Sequence, residues 1–287
     1  MKIRSFAVIG GDKRQLYAAE AMQNDGYKIY ICGFDKLSGE LEFEEASIEY
    51  AAKSADCAVL PMPLTKDGKT LNAPFSAQSI YLDDRLAKSL SGKRVFCTMA
   101  DKLLKSSSLW SKALLGDYLS RDELAVENAV PTAEGAVEVA MKEYPGTIHG
   151  SKCLVTGFGK IGKVLSKMLD GIGAQVYAAA RKKPDLSLIG ALGYTPVDIN
   201  SLCAVTVDFD LVFNTVPAMI FNAHTLARVC KNAVVIDLAS APGGVDFEGA
   251  ARLGINTVHA LSLPGRVAPK ASGEIIKNTI FNMLGED

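Results

Sequence analysis

A glycine motif in the middle of the chain constrains the fold more than any other feature of the sequence. Gly157, Gly159 and Gly162 have the GxGxxG spacing. A β-rich run, Cys153–Val155, precedes the motif, and apolar residues follow it at the spacing of an amphipathic helix. A strand, a glycine turn and a helix in this order predict a parallel sheet that binds a dinucleotide at the start of the helix.

Each glycine of the motif has a separate predicted role. Gly157 makes the tight turn, Gly159 lets the backbone approach a pyrophosphate, and Gly162 lets the helix pack closely on its strand. The unpaired N–H groups and the dipole at the start of the helix favour the anion. The residues predicted to bind the cofactor here are Gly157, Phe158, Gly159, Lys160, Ile161 and Gly162.

The residues after the next predicted strand, 174–180, indicate which dinucleotide is bound. Enzymes that use NAD place an acidic residue near this point to bind the ribose hydroxyl. Here the strand is followed by Arg181, Lys182 and Lys183. A guanidinium and an ammonium favour a 2′-phosphate, so Arg181 and Lys182 predict NADP. A solvated turn is the alternative, and it suits Lys183 better than Arg181.

Two further loops follow predicted strands of the same sheet. Ligands of open parallel sheets lie beyond the carboxyl ends of the strands, so these loops are predicted to face the nicotinamide. The residues are Asn214, Thr215, Val216, Pro217, Leu238, Ala239 and Ser240. All are also ordinary loop residues, which leaves a purely structural role open.

The sequence identifies no catalytic residue and no metal site. The histidines are His149, His224 and His259, and a lone histidine is more often structural than catalytic. The six cysteines are scattered without metal-ligand spacing, which indicates reduced core residues.

The length and the alternation of strands and helices predict two domains. The chain has 287 residues, 48% of them hydrophobic, which is enough for two cores. The predicted fold class is α/β, with two doubly wound parallel-sheet domains, the second of them a Rossmann domain. Residues 1–130 form the N-terminal, substrate-side domain, residues 131–146 a connecting helix, and residues 147–270 the NADP-binding domain. By analogy with two-domain dehydrogenases, the C-terminal helix 271–287 packs back on the first domain.

Charge and hydropathy exclude several classes of partner. The net charge of −1 leaves no basic stripe for nucleic acid. The N-terminus lacks the apolar core of a signal peptide, and no apolar run nears the length that spans a membrane. A cytoplasmic protein is therefore predicted.

With these residues in place, the chain resembles the dipicolinate synthase A-subunit family along nearly its whole length. The segments that carry the resemblance are Val8–Leu16, Pro131–Gly135, Thr147–Ser151, Asn214–Pro217, Asp237–Ser240, Pro242–Phe247 and Leu263–Lys270. The resemblance implies an NADP-dependent oxidoreductase that makes dipicolinate (pyridine-2,6-dicarboxylate) for bacterial spores. It also implies a separate partner chain, the flavoprotein-like B-subunit of dipicolinate synthase.

The implied substrate is a small cyclic dicarboxylate, dihydrodipicolinate or its hydrated precursor. Enzymes of this kind mainly orient the ring and hold two carboxylates. Arg14, near the predicted first strand, and Lys270, in a predicted loop of the second domain, are the substrate-binding candidates, expected on opposite sides of a cleft. Both also fit surface positions.

Two other functions remain open. The related D-2-hydroxyacid and alanine dehydrogenases are one alternative, but the D-2-hydroxyacid enzymes need an arginine before their late Gly-Gly, where this chain has Pro242. They also pair a histidine with a carboxylate near the C-terminus, and only His259 is available. A non-catalytic NADP-binding subunit is the other alternative. A homo-oligomer is compatible with such folds, although no sequence signal indicates one.

Overall fold

The computed structural model describes residues 3–37, 43–205 and 208–286. The chain divides into two compact units. The first unit comprises Met1–Glu127 and Ala268–Asp287, and the second comprises Asn128–Val267.

The first unit contains a six-stranded parallel sheet with the strand order β3-β2-β1-β4-β5-β6. Its strands are β1 (Ser5–Ile9), β2 (Lys28–Cys32), β3 (Glu44–Glu45), β4 (Cys57–Val59), β5 (Arg94–Cys97) and β6 (Leu114–Asp117). The order reverses between β1 and β4, which is the switch point of a doubly wound fold. The central strand β1 is buried along its whole length, as expected where helices cover both faces.

Helices cover both faces of this sheet and enclose two apolar clusters. They are α1 (Lys13–Asn24), α2 (Ile48–Ser54), α3 (Asp84–Ser89), α4 (Ala100–Ser106), α5 (Asp122–Glu127) and α13 (Pro269–Gly285).

The last helix of the chain, α13, packs against the first helix, α1. Gly273 permits this close approach, because a Cβ at Gly273 would lie 2.6 Å from the Arg14 carbonyl oxygen and 2.7 Å from the Ala18 nitrogen. Ile276 and Ile280 are fully buried in the same cluster as β1. The C-terminal helix is therefore part of the core of the first unit.

The second unit repeats the arrangement of the first, with the order β12-β11-β10-β7-β8-β9 in a second six-stranded parallel sheet. Its strands are β7 (Lys152–Thr156), β8 (Gln175–Ala180), β9 (Thr195–Asp198), β10 (Leu211–Asn214), β11 (Val234–Asp237) and β12 (Asn256–His259). Its helices are α6 (Ala129–Glu143), α7 (Lys160–Ile172), α8 (Lys183–Ala191), α9 (Leu202–Val205), α10 (Ala223–Leu226), α11 (Phe247–Leu253) and α12 (Leu263–Val267). The predicted fold class, two doubly wound parallel-sheet domains with a Rossmann second domain, is confirmed.

Candidate functional site

Four neighbouring strands of the second unit end in one row. Thr156 ends β7, Asn214 ends β10, Asp237 ends β11 and His259 ends β12, and the register pairs each with the next. The strand order reverses between β7 and β10. Open parallel sheets bind their ligands at this edge, next to the reversal.

The predicted glycine loop joins β7 to α7 at this edge. Gly157 has a φ of +92°, and a Cβ there would overlap the Thr215 side chain. Gly159 is the N-cap of α7; no side chain caps this helix, and the space around a Cβ at Gly159 is open. Open backbone at the positive end of a helix dipole fits a pyrophosphate.

The other residues of the loop contribute packing or backbone. A Cβ at the buried Gly162 would overlap the carbonyl oxygen of Gly157, which explains why α7 requires glycine there. Phe158 is buried in a small apolar cluster, so only its backbone is available to a ligand. Lys160 is exposed, and Ile161 is half-buried.

Arg181 and Lys182 follow β8, whose end lies beside the glycine loop. The Gly157 N–H donates to the Ala179 carbonyl at 2.9 Å. Both cations are exposed, and neither forms an ion pair with a residue that the structure describes. The neighbouring strand β9 ends in Asp198, a carboxylate whose Oδ1 accepts hydrogen bonds from the Asn200 backbone and side chain. Two cations without a carboxylate partner among the described residues suit a phosphate at this edge.

A buried hydrogen-bond network connects the ends of β7, β10 and β11. The fully buried Asp237 accepts through Oδ1 from the Asn214 side chain at 2.8 Å and from the Ala239 N–H at 3.1 Å, and through Oδ2 from the Gly244 N–H at 2.8 Å. The Asn214 Oδ1 in turn accepts from the Thr156 hydroxyl at 2.8 Å. A fully satisfied polar network of this kind makes the surrounding backbone rigid.

The network also joins the loops after β10 and β11. The Gly244 carbonyl accepts from the N–H groups of Ile220 and Phe221 at 3.0 and 2.9 Å. A Cβ at Gly244 would overlap the Asn214 side-chain amide, so the two loops meet without space for a side chain. The loops predicted to face the nicotinamide are thus held together by their own hydrogen bonds.

The predicted loop residues differ in what they offer a ligand. Asn214 is fully buried in the network, and the Thr215 hydroxyl donates to the Thr156 carbonyl at 2.8 Å. Leu238 and Ala239 are buried, Val216 is half-buried, and Pro217 and Ser240 are exposed. The sequence places Asp237 at the start of a loop predicted to face the nicotinamide, but it predicts no role for Asp237 and does not identify Thr156. A polar residue that ends a buried apolar strand is the available signal for both.

The histidines do not supply a base with a carboxylate partner. The His149 Nδ1 donates to the Ile172 carbonyl at 3.0 Å, at the C-terminus of α7. His224 is exposed, and the ring of His259 lies 5.0 Å from the Phe247 ring. Within the described ranges no hydrogen bond joins a histidine to an Asp or Glu side chain.

The two predicted substrate-binding residues both lie in the first unit. Arg14 is 5% exposed, and its Nε and Nη2 donate to the Asp12 carboxylate at 2.8–3.2 Å. Lys270 lies in α13 and not in a loop, because Pro269 occupies the first helical turn, where proline is favoured. Lys270 is exposed beside Glu20 and Asn24 of α1, away from the Arg14–Asp12 pair.

The Arg14 guanidinium also supports the loop after β4. Three consecutive carbonyls of this loop each accept a hydrogen bond from a buried side chain: Leu60 from Tyr118 at 2.8 Å, Pro61 from Thr98 at 3.0 Å, and Met62 from Arg14. Burial raises the pKa of Tyr118, which keeps its hydroxyl a donor. Arg14 is therefore built into the first unit.

Replacing Arg14 with alanine is expected to lower the free energy of unfolding by about 2 to 3 kcal/mol, because hydrogen bonds to charged groups contribute about this much and two acceptors lose their donor. Lys270→Ala is the matched control and should change it by less than about 0.5 kcal/mol. Urea unfolding of both variants measures the difference. Equal stability of Arg14→Ala and the wild type would contradict the structural role.

The buried cysteines are poor nucleophiles at neutral pH. Burial raises the pKa of Cys57 and Cys153 to about 11 and that of Cys32 and Cys97 to about 12. In the part of the chain that the structure describes, no group of three His, Cys, Asp or Glu side chains could hold a metal ion. No helix among the described residues has both the length and the apolar character needed to cross a membrane.

Comparison with known proteins gives two family matches and a relative that spans nearly the whole chain. Residues 5–113 match the N-terminal domain of the dipicolinate synthase A-subunit, and residues 120–245 match the NAD-binding domain of D-isomer-specific 2-hydroxyacid dehydrogenases. The dipicolinate synthase A-subunit of Bacillus subtilis (strain 168) is 32% identical over 98% of this chain and 95% of its own length.

Solved structures agree with these matches. The crystal structure of the dipicolinate synthase A-subunit from Bacillus halodurans superposes with a TM-score of 0.89 at 31% identity, over 99% of this chain and 98% of that one. D-lactate dehydrogenase from Escherichia coli shares the fold alone, with a TM-score of 0.58 at 14% identity over 98% of this chain and 96% of that one. The second unit is thus a dehydrogenase-type nicotinamide-dinucleotide domain, and the chain belongs to the dipicolinate synthase A-subunit family.

Proposed function

We propose that the chain is the NADP-dependent oxidoreductase subunit of a dipicolinate synthase and acts in the cytoplasm during spore formation. Its substrate is dihydrodipicolinate or the hydrated precursor, and its product is pyridine-2,6-dicarboxylate. The observation that carries the proposal is the uncapped start of α7 beside Arg181 and Lys182, in a chain 32% identical to a dipicolinate synthase A-subunit.

The proposed reaction removes two electrons from the ring. Dihydrodipicolinate loses one hydride to the nicotinamide and one proton to a base or water, and the ring becomes aromatic; the hydrated precursor loses water as well. NADP supplies the hydride acceptor. Because aromatisation favours the product, the protein needs mainly to orient the ring and hold its carboxylates.

The second unit would hold the cofactor through backbone at one end and cations at the other. The pyrophosphate meets the loop residues, which are Gly157, Phe158, Gly159, Lys160, Ile161 and Gly162. Arg181 and Lys182 pair with the 2′-phosphate. The rigid loops Asn214–Pro217 and Leu238–Ser240 bound the nicotinamide end.

The carboxylates of the substrate require cations from the chain. Arg14 and Lys270 are the proposed residues. The ammonium of Lys270 is exposed, whereas the Arg14 guanidinium meets a substrate only by sharing or releasing its contact with Asp12. The flavoprotein-like B-subunit is the proposed protein partner.

The test is turnover of the purified chain, alone and with the B-subunit, on freshly generated dihydrodipicolinate and NADP. The expected result is NADPH and dipicolinate in equal amounts. NADP binding without NADPH formation in either mixture would overturn the oxidoreductase role and favour a non-catalytic NADP-binding subunit. Oxidation of a D-2-hydroxyacid or of alanine in place of dihydrodipicolinate would support the dehydrogenase alternative.

Arg181→Ala is expected to weaken NADP binding about ten- to a hundredfold and to leave NAD binding almost unchanged. A charge-assisted hydrogen bond of this kind contributes roughly 1.5 to 3 kcal/mol, and NAD lacks the phosphate that receives it. Fluorescence titration of both cofactors measures the change in preference.

Lys183→Ala is the matched control for this substitution. Lys183 is also an exposed cation of the segment, but it is the first residue of α8, and the sequence favours a solvated position for it. Its loss should change NADP affinity less than about threefold. Equal affinity of the wild type for NADP and NAD would show that Arg181 does not select the cofactor.

A further inference from the structure

A concavity of about 400 Å³ lies in the first unit and is built entirely from residues of that unit. A cavity of this size can hold a small ring compound. Its floor includes Leu71, Asn72 and Ala73, which pack on Gly10, the residue directly after β1. Lys36, which follows β2, also lines it. The concavity is therefore at the carboxyl ends of the strands, where open parallel sheets bind ligands.

Asn72 is the unusual residue of this concavity. Its backbone is fixed on both sides, since its N–H donates to the Leu64 carbonyl and its carbonyl accepts from the Gly11 N–H, both at 2.8 Å. The residue is only 8% exposed, yet its side-chain amide forms no hydrogen bond with any residue that the structure describes. Its amide atoms are not among the fully buried polar atoms of the described residues, so they are open to the concavity and available to hydrogen-bond a ligand there.

The charges around Asn72 favour an anion. Lys36 and Lys66 line the concavity, and Lys66 forms no ion pair within the described ranges. The Lys36 Nζ donates to the Pro74 carbonyl at 3.3 Å, and Lys36 likewise forms no ion pair with a described residue. Asp67 is the third charged residue of the lining.

The Asp67 carboxylate is already occupied by its own turn. It accepts from the N–H groups of Lys69 and Thr70 at 2.8 Å and from the Thr70 hydroxyl at 2.7 Å. These hydrogen bonds lower the pKa of Asp67, and the bond from the Thr70 N–H has the largest effect. Asp67 therefore stays ionised. Among the described residues of the lining there are thus two ammonium groups and one carboxylate, and Asp35, outside that lining, accepts from the Ala77 N–H at 2.7 Å.

We propose that this concavity binds a carboxylate group of a small ring dicarboxylate, with the Asn72 amide as the specific donor and Lys36 and Lys66 as the cations. The assignment rests on the proposed function, because that function supplies the dicarboxylate. It adds a binding site for one carboxylate that the sequence analysis did not identify. A carboxylate accepts from an amide and from ammonium groups at once, so one ligand group can use all three side chains.

The test is calorimetric titration of the full chain with pyridine-2,6-dicarboxylate in the presence of NADP. Asn72→Leu and Lys66→Gln are each expected to weaken binding of the dicarboxylate about ten- to a hundredfold. Asn72→Asp keeps the side-chain volume and should abolish measurable binding, because it adds a negative charge. Lys69→Gln is the matched control: Lys69 is an exposed lysine of the same turn that does not line the concavity, and its loss should change affinity less than about twofold.

The outcomes separate this site from the proposed function. Thermal unfolding and NADP affinity should be unchanged in the variants, which shows that only the concavity was altered. Wild-type affinity for the dicarboxylate in the Asn72 and Lys66 variants, or no binding by the wild type, would overturn the site even if the chain oxidises dihydrodipicolinate. Loss of binding in these variants supports the site even if the turnover assay fails.

Discussion

Gly162→Ala is expected to destabilise the second unit by about 3 kcal/mol and to weaken NADP binding roughly a hundredfold. The new Cβ would overlap the Gly157 carbonyl oxygen, which is backbone and cannot rotate away. Gly157 is held on its other side by its hydrogen bond to Ala179. Either α7 or the glycine loop must therefore shift, and both contribute to the proposed pyrophosphate site. Urea unfolding and fluorescence titration with NADP measure the two effects.

Gly171→Ala is the matched control in the same helix. A Cβ at Gly171 meets nothing within 4 Å, and the residue is exposed. Alanine should stabilise the helix there by about 0.5 to 1 kcal/mol and leave NADP affinity unchanged. If the two variants were equally stable, the tight contact at Gly162 would not be what requires glycine.

Asp237→Ala is expected to cost about 3 to 5 kcal/mol of unfolding free energy, because it leaves three buried donors without their acceptor. Turnover in the proposed reaction should fall at least about tenfold, since the loops after β10 and β11 lose the group that joins them. NADP affinity should fall less, because the glycine loop and Arg181 remain. Urea unfolding, NADP titration and the NADPH assay separate these effects.

Asp246→Ala provides the comparison for this substitution. Asp246 is half-buried and caps α11 through one hydrogen bond from the Gly249 N–H at 2.9 Å. The loss of an N-cap costs about 1 kcal/mol. A cost for Asp237→Ala no greater than for Asp246→Ala would mean that water replaces the buried carboxylate and that the network does not hold the loops.

The central strands and the edge strand β12 could be predicted from the sequence, but the edge strands β3 and β9 could not. Strands β1, β7 and β10 are short apolar runs because helices cover them on both faces, and buried runs are visible in a sequence. Strands β3 and β9, at sheet edges, are mostly exposed and carry no run or alternation of apolar residues. Because these strands are exposed, they lack the pattern of apolar residues from which a strand is predicted.

The local part of the candidate site could also be predicted, because its signal lies within one short segment of the sequence. The roles of Gly157, Gly159 and Gly162 depend on one loop and one helix, so their spacing is sufficient. The partners of Asp237 and the unpaired amide of Asn72 depend on strand register and on loops that are distant in sequence. The sequence predicts a loop at Pro269, whereas the structure has a helix there, because proline is equally suited to the first turn of a helix.

The position of α13 has a consequence for the order in which the chain folds during synthesis. The second unit is continuous in sequence, so its core is complete once residue 267 has left the ribosome. Most of the first unit precedes the second unit in sequence, yet Ile276 and Ile280 of its core follow it. Nascent domains generally fold as units when their residues are available. The unit whose translation starts earlier is therefore the one that finishes folding later, and its apolar surface under α13 stays uncovered until residues 269–285 have been translated.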